Sequence, residues 1–174
     1  EGPIVSATYK DGTTEVLAES DGGYVYSTPM VVLVNEKTAS AAELFAQALK
    51  DYGMARCVGT TTFGKGKIQQ LFTLNDGSAI NLTVGTFNPP YSSCFDGVGV
   101  KPDYEVALQL EDGTTFDDLE EEEDAQLQRA IAVLDQMLLN DTEGSQTTPQ
   151  TESASESSES TSSESSSEEE DAAA

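Results

Sequence analysis

The 174-residue sequence has no histidine, only eight lysines and arginines against 32 aspartates and glutamates, two cysteines and no long apolar run. Without imidazole, a serine nucleophile in this chain lacks its commonest base, so any proton it gives up must go elsewhere. Cys57 and Cys94 are too few for a disulfide framework and lack metal-ligand spacing, so no metal and no cofactor is expected. Cys57 lies in an apolar stretch and reads as a small buried hydrophobe. No segment approaches the roughly 20 apolar residues of a membrane-spanning helix. Nucleic-acid binding needs lysine and arginine clustered against phosphate, and there is no such stripe.

The formal net charge of -24 is unevenly placed. Residues 1–110 carry twelve acids against seven bases, a net of -5. The remainder sits in Glu111–Asp124 and in a Ser/Thr/Glu-rich tail that ends in Glu168-Glu169-Glu170-Asp171. That tail has too little apolar surface to offset its ordering entropy, so residues 141–174 are expected to be disordered. The expected organisation is a strand-rich lead-in (1–28), a core (29–110), an acidic linker with a C-terminal helix (111–140) and the tail. The chain starts at Glu1 and not at methionine, so the N terminus reads as a cut in a longer protein and the lack of a signal peptide says nothing. Asn81-Leu82-Thr83 and Asn140-Asp141-Thr142 match glycosylation sequons, a pattern with meaning only in a eukaryotic secretory pathway.

Apolar patterning and turn residues predict a mixed α/β order. Pro3–Tyr9 and Thr14–Leu17 read as strands around Lys10-Asp11-Gly12. Met30-Val31-Val32-Leu33-Val34 is continuously apolar, the pattern of a strand covered on both faces. A helix then runs from Ser40 to about Tyr52-Gly53, with Leu44, Phe45, Ala48 and Leu49 as its apolar stripe and Gly53 ending it in a left-handed conformation. Arg56–Gly59 reads as a neighbouring strand. Ile68–Leu74 and Ala79–Phe87 form a hairpin around Asn75-Asp76-Gly77-Ser78. Gly97–Asp103 leads into a last short strand, and Asp124–Leu139 is a helix with Leu127, Ala130, Ile131, Leu134 and Leu138 on one face.

Two positions carry candidate chemistry. Ser40-Ala41-Ala42-Glu43 fits a capping box, in which the serine hydroxyl accepts from the N3 amide and Glu43 reaches back to the serine amide. The same serine follows a buried strand and a short turn and sits among alanines at a helix start. Unpaired backbone N–H groups there can bind an oxyanion. Lys65, in Phe63-Gly64-Lys65-Gly66, reads either as a solvated loop lysine or as the base that a histidine-free serine needs. A lysine base works near neutral pH only if burial brings its pKa down from about 10.4 toward about 7–8. Phe63 and Ile68 are apolar neighbours suited to that, and Gln69 offers a neutral hydrogen-bond partner. Lys67 shares a strand face with Lys65, so spacing leaves both lysines open. Gly59 to Gly66 nearly spells a phosphate-binding P-loop, but Gly66 replaces the hydroxyl residue and a strand follows where a helix must start. No nucleotide is therefore expected.

Taken together, Val31–Asn35, Thr38–Glu43, Asp51-Tyr52-Gly53, Val58-Gly59, Phe63–Gln70, Asp76–Ala79 and Gly97–Asp103 resemble the C-terminal processing peptidases, also called tail-specific proteases, over roughly residues 29–106. The resemblance implies an α/β, crotonase/ClpP-like peptidase core, here with a C-terminal helix and an acidic tail. It implies a serine endopeptidase that cuts unfolded protein or peptide segments, often near their C termini. By motif, Ser40 is the nucleophile, Lys65 the general base, which decides against Lys67, and Gln69 the residue that positions the lysine. The Ala41 amide is an oxyanion donor, worth about 3–4 kcal/mol at the transition state, and Asp51 is supporting structure.

The resemblance also implies a second oxyanion donor and a PDZ domain upstream of Glu1, membrane association only through upstream residues, and export to the bacterial cell envelope. The chain alone is expected to be weakly active or inactive. Asn88–Phe95 departs from the family's usual stretch at that place. The alternatives are a non-catalytic scaffold on the same fold and a crotonase-like acyl-transfer enzyme without a serine-lysine pair.

Overall fold

The computed structural model describes residues 1–110 and 118–144. Along these residues run strands β1 (Gly2–Tyr9), β2 (Thr14–Ser20) and β3 (Met30–Val34), helix α1 (Ala41–Asp51), strands β4 (Ala55–Gly59), β5 (Lys67–Thr73), β6 (Ala79–Asn88) and β7 (Tyr104–Glu105), and helix α2 (Ala125–Gly144). The hairpin turns form where their residues favour them. Asp11 Oδ1 accepts from the Thr13 amide (2.9 Å) and hydroxyl (2.7 Å), and Asp76 Oδ1 accepts likewise from Ser78 (3.0 and 2.6 Å). An aspartate that binds its own backbone two residues on is a ready-made turn.

Two sheets result. β2-β1-β6-β5 is antiparallel, and β3-β4-β7 is parallel. Parallel neighbours need a crossover, which α1 supplies between β3 and β4. Successive side chains of a strand point to opposite faces, so β4 joins two cores. Cys57 packs with Val34 and Ala46 beside Val32, while Val58 packs with Ala130 and Val133 of α2, ringed by Val31, Tyr104, Val106 and Met137. The fold is therefore α/β, with the middle strand of the parallel sheet between two helices. Cys57 is fully buried, as expected of a small hydrophobe, and burial pushes its thiol pKa up.

Three expectations change. β3 is not covered throughout: Leu33 is 41% exposed, because β3 is the end strand of its sheet and β4 takes the fully flanked position. In α1 the buried side chains are Glu43, Ala46 and Ala48, and Phe45 faces solvent. In α2 the inward face runs through Gln126, Ala130, Val133 and Met137, leaving Ile131 and Leu138 exposed. Ala130 is where the expected stripe puts it, and the rest of the inward face is turned toward Gln126, Val133 and Met137.

Polar anchors set the rotation. Asp124 Oδ1 caps the Gln126 and Leu127 amides (2.9 Å each), Gln126 Nε2 donates to the Val106 carbonyl (2.7 Å), and the Arg129 guanidinium lies 4.7 Å from the Tyr104 ring centre. The helix also continues to Gly144, through residues expected to begin the disordered tail. Residues 145–174 lie outside the described part.

β3 and β4 approach closely at one glycine. Gly59 sits at φ 134°, where a Cβ would lie 1.8 Å from the Val34 carbonyl oxygen, and that oxygen accepts from the Thr60 amide (3.0 Å). No flexible side chain is available to give way. Gly59→Ala is expected to cost roughly 2–3 kcal/mol, the upper range for a single substitution, read as a lowered urea midpoint with an unchanged slope.

Candidate active site

Ser40 precedes α1 with φ 60° and ψ -120°, and it is the one non-glycine residue with positive φ among the described residues. A side chain in that region is strained, and the surrounding structure must over-determine it. The Thr38 hydroxyl accepts from the Asn35 amide (3.0 Å), and the Thr38 amide donates to the Asn35 carbonyl (2.9 Å), so the turn before Ser40 is tied. The capping-box arrangement is present. Its Glu43 half is a 2.7 Å bond from the Ser40 amide, and its serine half sets the Ser40 side chain against the Glu43 amide. The Ala41 amide, first in the helix, has no acceptor among the described residues.

Glu43 does far more than cap. It is 0% exposed, and each of its oxygens accepts twice. Oε2 takes the Ser40 and Lys65 amides (2.7 and 2.8 Å), and Oε1 takes the Gly64 amide and the Thr62 hydroxyl (2.5 Å each). A carboxylate has about four lone-pair sites, and all are used. One buried oxygen thus brings the backbone of Ser40 and that of Lys65 to a shared point. The sequence signals only the local half of this arrangement. The long-range half, across some twenty residues, has no sequence mark beyond the glycines that let the loop approach.

The loop carrying Lys65 is clamped on its other side by the Gly97–Asp103 motif. The Val100 amide donates to Thr62 Oγ1 (2.7 Å), the Thr62 amide to the Val100 carbonyl (3.1 Å), and the Gly97 amide to the Gly64 carbonyl (2.9 Å). A Cβ on Gly99 would lie 2.3 Å from the Thr62 carbonyl oxygen, so the two glycine motifs read from the sequence are halves of one contact. The Gly66 amide donates to Asp96 Oδ1 (3.1 Å), whose second oxygen pairs with Lys67 Nζ at 3.6 Å. Lys67 is therefore engaged, whereas the Lys65 amine has no hydrogen-bond or ion-pair partner among the described residues.

Two sequence expectations do not hold here. Lys65 is exposed rather than buried, and Phe63, expected to shelter it, is 65% exposed. Gln69 stands exposed on β5 and makes no hydrogen bond to Lys65. The physical reason is that the loop's anchors all lie on its backbone side, so nothing in the described residues covers the lysine. Gln69 does sit at a register shift: between Ile68 and Gln69 the β5–β6 ladder slips by one residue. Such bulges re-aim side chains, often beside functional sites.

Asp51, at the far end of α1, holds the Asn88–Phe95 segment. It accepts from the Tyr91 and Ser92 amides (2.9 Å each), the Ser92 hydroxyl and Gln47 Nε2 (2.7 Å). Burial alone would raise its carboxyl pKa, but the bonds from Ser92, Tyr91 and Gln47 outweigh it and hold the group below the usual range. Asp51 touches neither Ser40 nor Lys65 in this network.

Residues 1–106 match Peptidase family S41. The chain is 43% identical over 117 residues to carboxyl-terminal-processing peptidase 3, chloroplastic, of Arabidopsis thaliana, covering 67% of the chain and 22% of that protein. It is 39% identical over 134 residues to the carboxyl-terminal-processing protease of Synechocystis, covering 77% and 30%. The chain thus spans less than a third of the length of these curated relatives. Among solved structures, the photosystem II D1 C-terminal processing protease superposes with a TM-score of 0.56 at 37% identity, covering 61% of this chain and 28% of that one.

Glu43→Gln keeps the size but replaces one acceptor oxygen with an amide that must face donors. At least one of Ser40, Thr62, Gly64 and Lys65 then loses its partner in a buried place, at an expected cost of about 3 kcal/mol. Urea unfolding measures the loss, and faster amide exchange at Gly64 and Lys65 than at the Asp11 turn locates it. For Asp51 the folded pKa is lowered, so its contribution is complete above the unfolded value of about 3.9 and fades as pH falls through the folded value. The stability gap between the parent chain and Asp51→Asn should accordingly stay constant at neutral pH and close under acid, as acid-titrated unfolding curves would show.

Proposed function

The chain belongs to peptidase family S41, and on that premise we propose that it carries the nucleophile and base of a serine endopeptidase acting on unfolded polypeptide, often near C termini. The observation that carries this reading is Ser40: a strained serine at a helix start, its backbone tied to that of Lys65 through one carboxylate oxygen. Strain is retained where the rest of the fold enforces it, and such enforcement clusters at reacting groups.

In the proposed reaction the Ser40 hydroxyl attacks the scissile carbonyl and the Lys65 amine takes its proton. The Ala41 amide donates to the oxygen that becomes negative. The carbonyl then re-forms, the C–N bond breaks, and Lys65 returns the proton to the leaving amine. A water molecule repeats the sequence on the serine ester and frees the acid. Gln69 is assigned the positioning of the lysine in the substrate-bound site, to which it must turn from its exposed place on β5, and Asp51 supports the helix end. A polypeptide lying across Phe63 would exclude water from Lys65, supplying the cover that the described residues lack.

The partners proposed are unfolded protein segments, with no nucleotide or nucleic acid and no metal or cofactor. The proposed location is the exported or envelope compartment. Curated relatives include chloroplastic and bacterial processing proteases, and no helix of the described residues is long and apolar enough to cross a membrane. The exposed Lys65 and the absent Gln69–Lys65 bond favour one other reading, a non-catalytic scaffold on the same fold.

A fluorophosphonate probe separates the two. The full-length protein should label at Ser40 and lose the label in Ser40→Ala. Lys65→Met should lower kcat for an unfolded reporter by at least about 10²–10⁴-fold with KM little changed. An unlabelled full-length protein would establish the scaffold reading.

A further inference from the structure

Lys65 lies between two glycines, so with no side chain at Gly64 or Gly66 it falls to hydrogen bonds to fix the peptide planes on either side of it. The plane before Lys65 is held at both ends. Its N–H is the Lys65 amide, which donates to Glu43 Oε2 (2.8 Å), and its carbonyl is that of Gly64, which accepts from the Gly97 amide (2.9 Å). The plane after Lys65 has a single anchor among the described residues. The Gly66 amide donates to Asp96 Oδ1 (3.1 Å), while the Lys65 carbonyl accepts from none of those residues. The Phe87 amide holds the Gly66 carbonyl (2.7 Å), but that group belongs to the following plane, with a flexible glycine between.

Asp96 is itself firmly placed. It follows Phe95, which is 3% exposed and whose carbonyl accepts from the Val98 and Gly99 amides (3.0 and 2.9 Å), and it precedes Gly97, whose amide holds Gly64. A Cβ on Gly66 would lie 2.9 Å from the Asp96 Cβ and 3.0 Å from its amide nitrogen, so the bare backbone at Gly66 is what lets Asp96 approach. The other carboxylate oxygen pairs with Lys67 Nζ (3.6 Å), but the Lys67 side chain is 55% exposed, and a pair in that setting contributes little. The bond to Gly66 is the one that bears on Lys65.

Peptide planes are rigid, so with both flanking planes held the two backbone torsions of Lys65 are held, and its Cβ has one direction. Without Asp96 the second plane can turn, and the lysine side chain turns with it relative to Ser40, whose amide stays on Glu43. We infer that Asp96 is a positioning residue for Lys65, aiming the amine through the Gly66 amide. This deepens the peptidase reading and rests on it. Glu43 holds the near side of the lysine and Asp96 the far side, and the two carboxylates come from different parts of the chain.

The full-length protein and its Asp96→Ala, Asp96→Asn and Lys67→Met variants test this, with a reduced and carboxymethylated unfolded protein as substrate. Asp96→Ala removes the anchor and should lower kcat about tenfold with KM within about twofold of the parent. Asparagine keeps an acceptor oxygen for the Gly66 amide and gives up only the charge, so Asp96→Asn should restore kcat to within about twofold. Lys67→Met removes the ion pair alone and should leave kcat and KM unchanged. Amide exchange at Gly66 should be faster in Asp96→Ala than in the parent or Asp96→Asn, with the β4 amides, which report global opening, unaltered.

Parental kcat in Asp96→Ala overturns the inference. So does an Asp96→Asn enzyme as slow as Asp96→Ala, which would assign the effect to charge, or an equally slow Lys67→Met enzyme, which would assign it to the ion pair. Faster β4 exchange beside the loss of kcat also overturns it, because a general loss of stability would then suffice. A raised KM at parental kcat overturns it in favour of a direct substrate contact. Failure of a fluorophosphonate to label Ser40 in the parent defeats the peptidase reading instead, and exchange at Gly66 still decides whether Asp96 holds the plane beyond Lys65.

Discussion

A single buried carboxylate organises this protein. Glu43 lies on the helix that Ser40 opens, and its four hydrogen bonds reach the Ser40 amide, the Thr62 hydroxyl and the Gly64 and Lys65 amides. A buried charge is tolerated only when its lone pairs are taken, so the Lys65 loop must stay where it is for Glu43 to remain in the core. The dependence is mutual. The same bonds hold Ser40 in a backbone conformation that a non-glycine residue does not adopt unaided.

The glycines make that closeness possible. At Gly59 the limit is the Val34 carbonyl, and at Gly99 it is the Thr62 carbonyl. Any side chain at these positions would part β3 from β4, or the Lys65 loop from the Gly97–Asp103 segment. The parallel sheet supplies the platform: β3 ends just before the Ser40 turn, β4 ends just before the Lys65 loop, and their pairing brings the two exits side by side. Asp51 performs a related task at the opposite end of α1, fastening a segment that its own proline pair keeps out of regular structure.

Much of the fold was legible because its signals are local. Turn chemistry at Asp11 and Asp76, the left-handed glycine after α1 and the apolar run of β3 act within a few residues, and each element stands close to where those signals place it. Which face of α2 turns inward was not legible. Leu127, Ala130, Ile131, Leu134 and Leu138 make a plausible stripe, yet Gln126 and Arg129 bind partners on β7 and its flank, Asp124 caps the helix start, and only Ala130 of that stripe turns fully inward. Polar anchors of this kind overrule an apolar stripe when both cannot be satisfied.

The sequence by itself determined the element order, the α/β class and the two motifs that meet at the site, because backbone preference and side-chain period are properties of neighbouring residues. Only the tertiary structure decided that Glu43 would join those motifs, and that Lys67 would be engaged and Lys65 left without a partner. Those outcomes depend on which groups far apart in the chain share a buried volume. Burial sets the cost of each unpaired polar atom, and no local pattern encodes it.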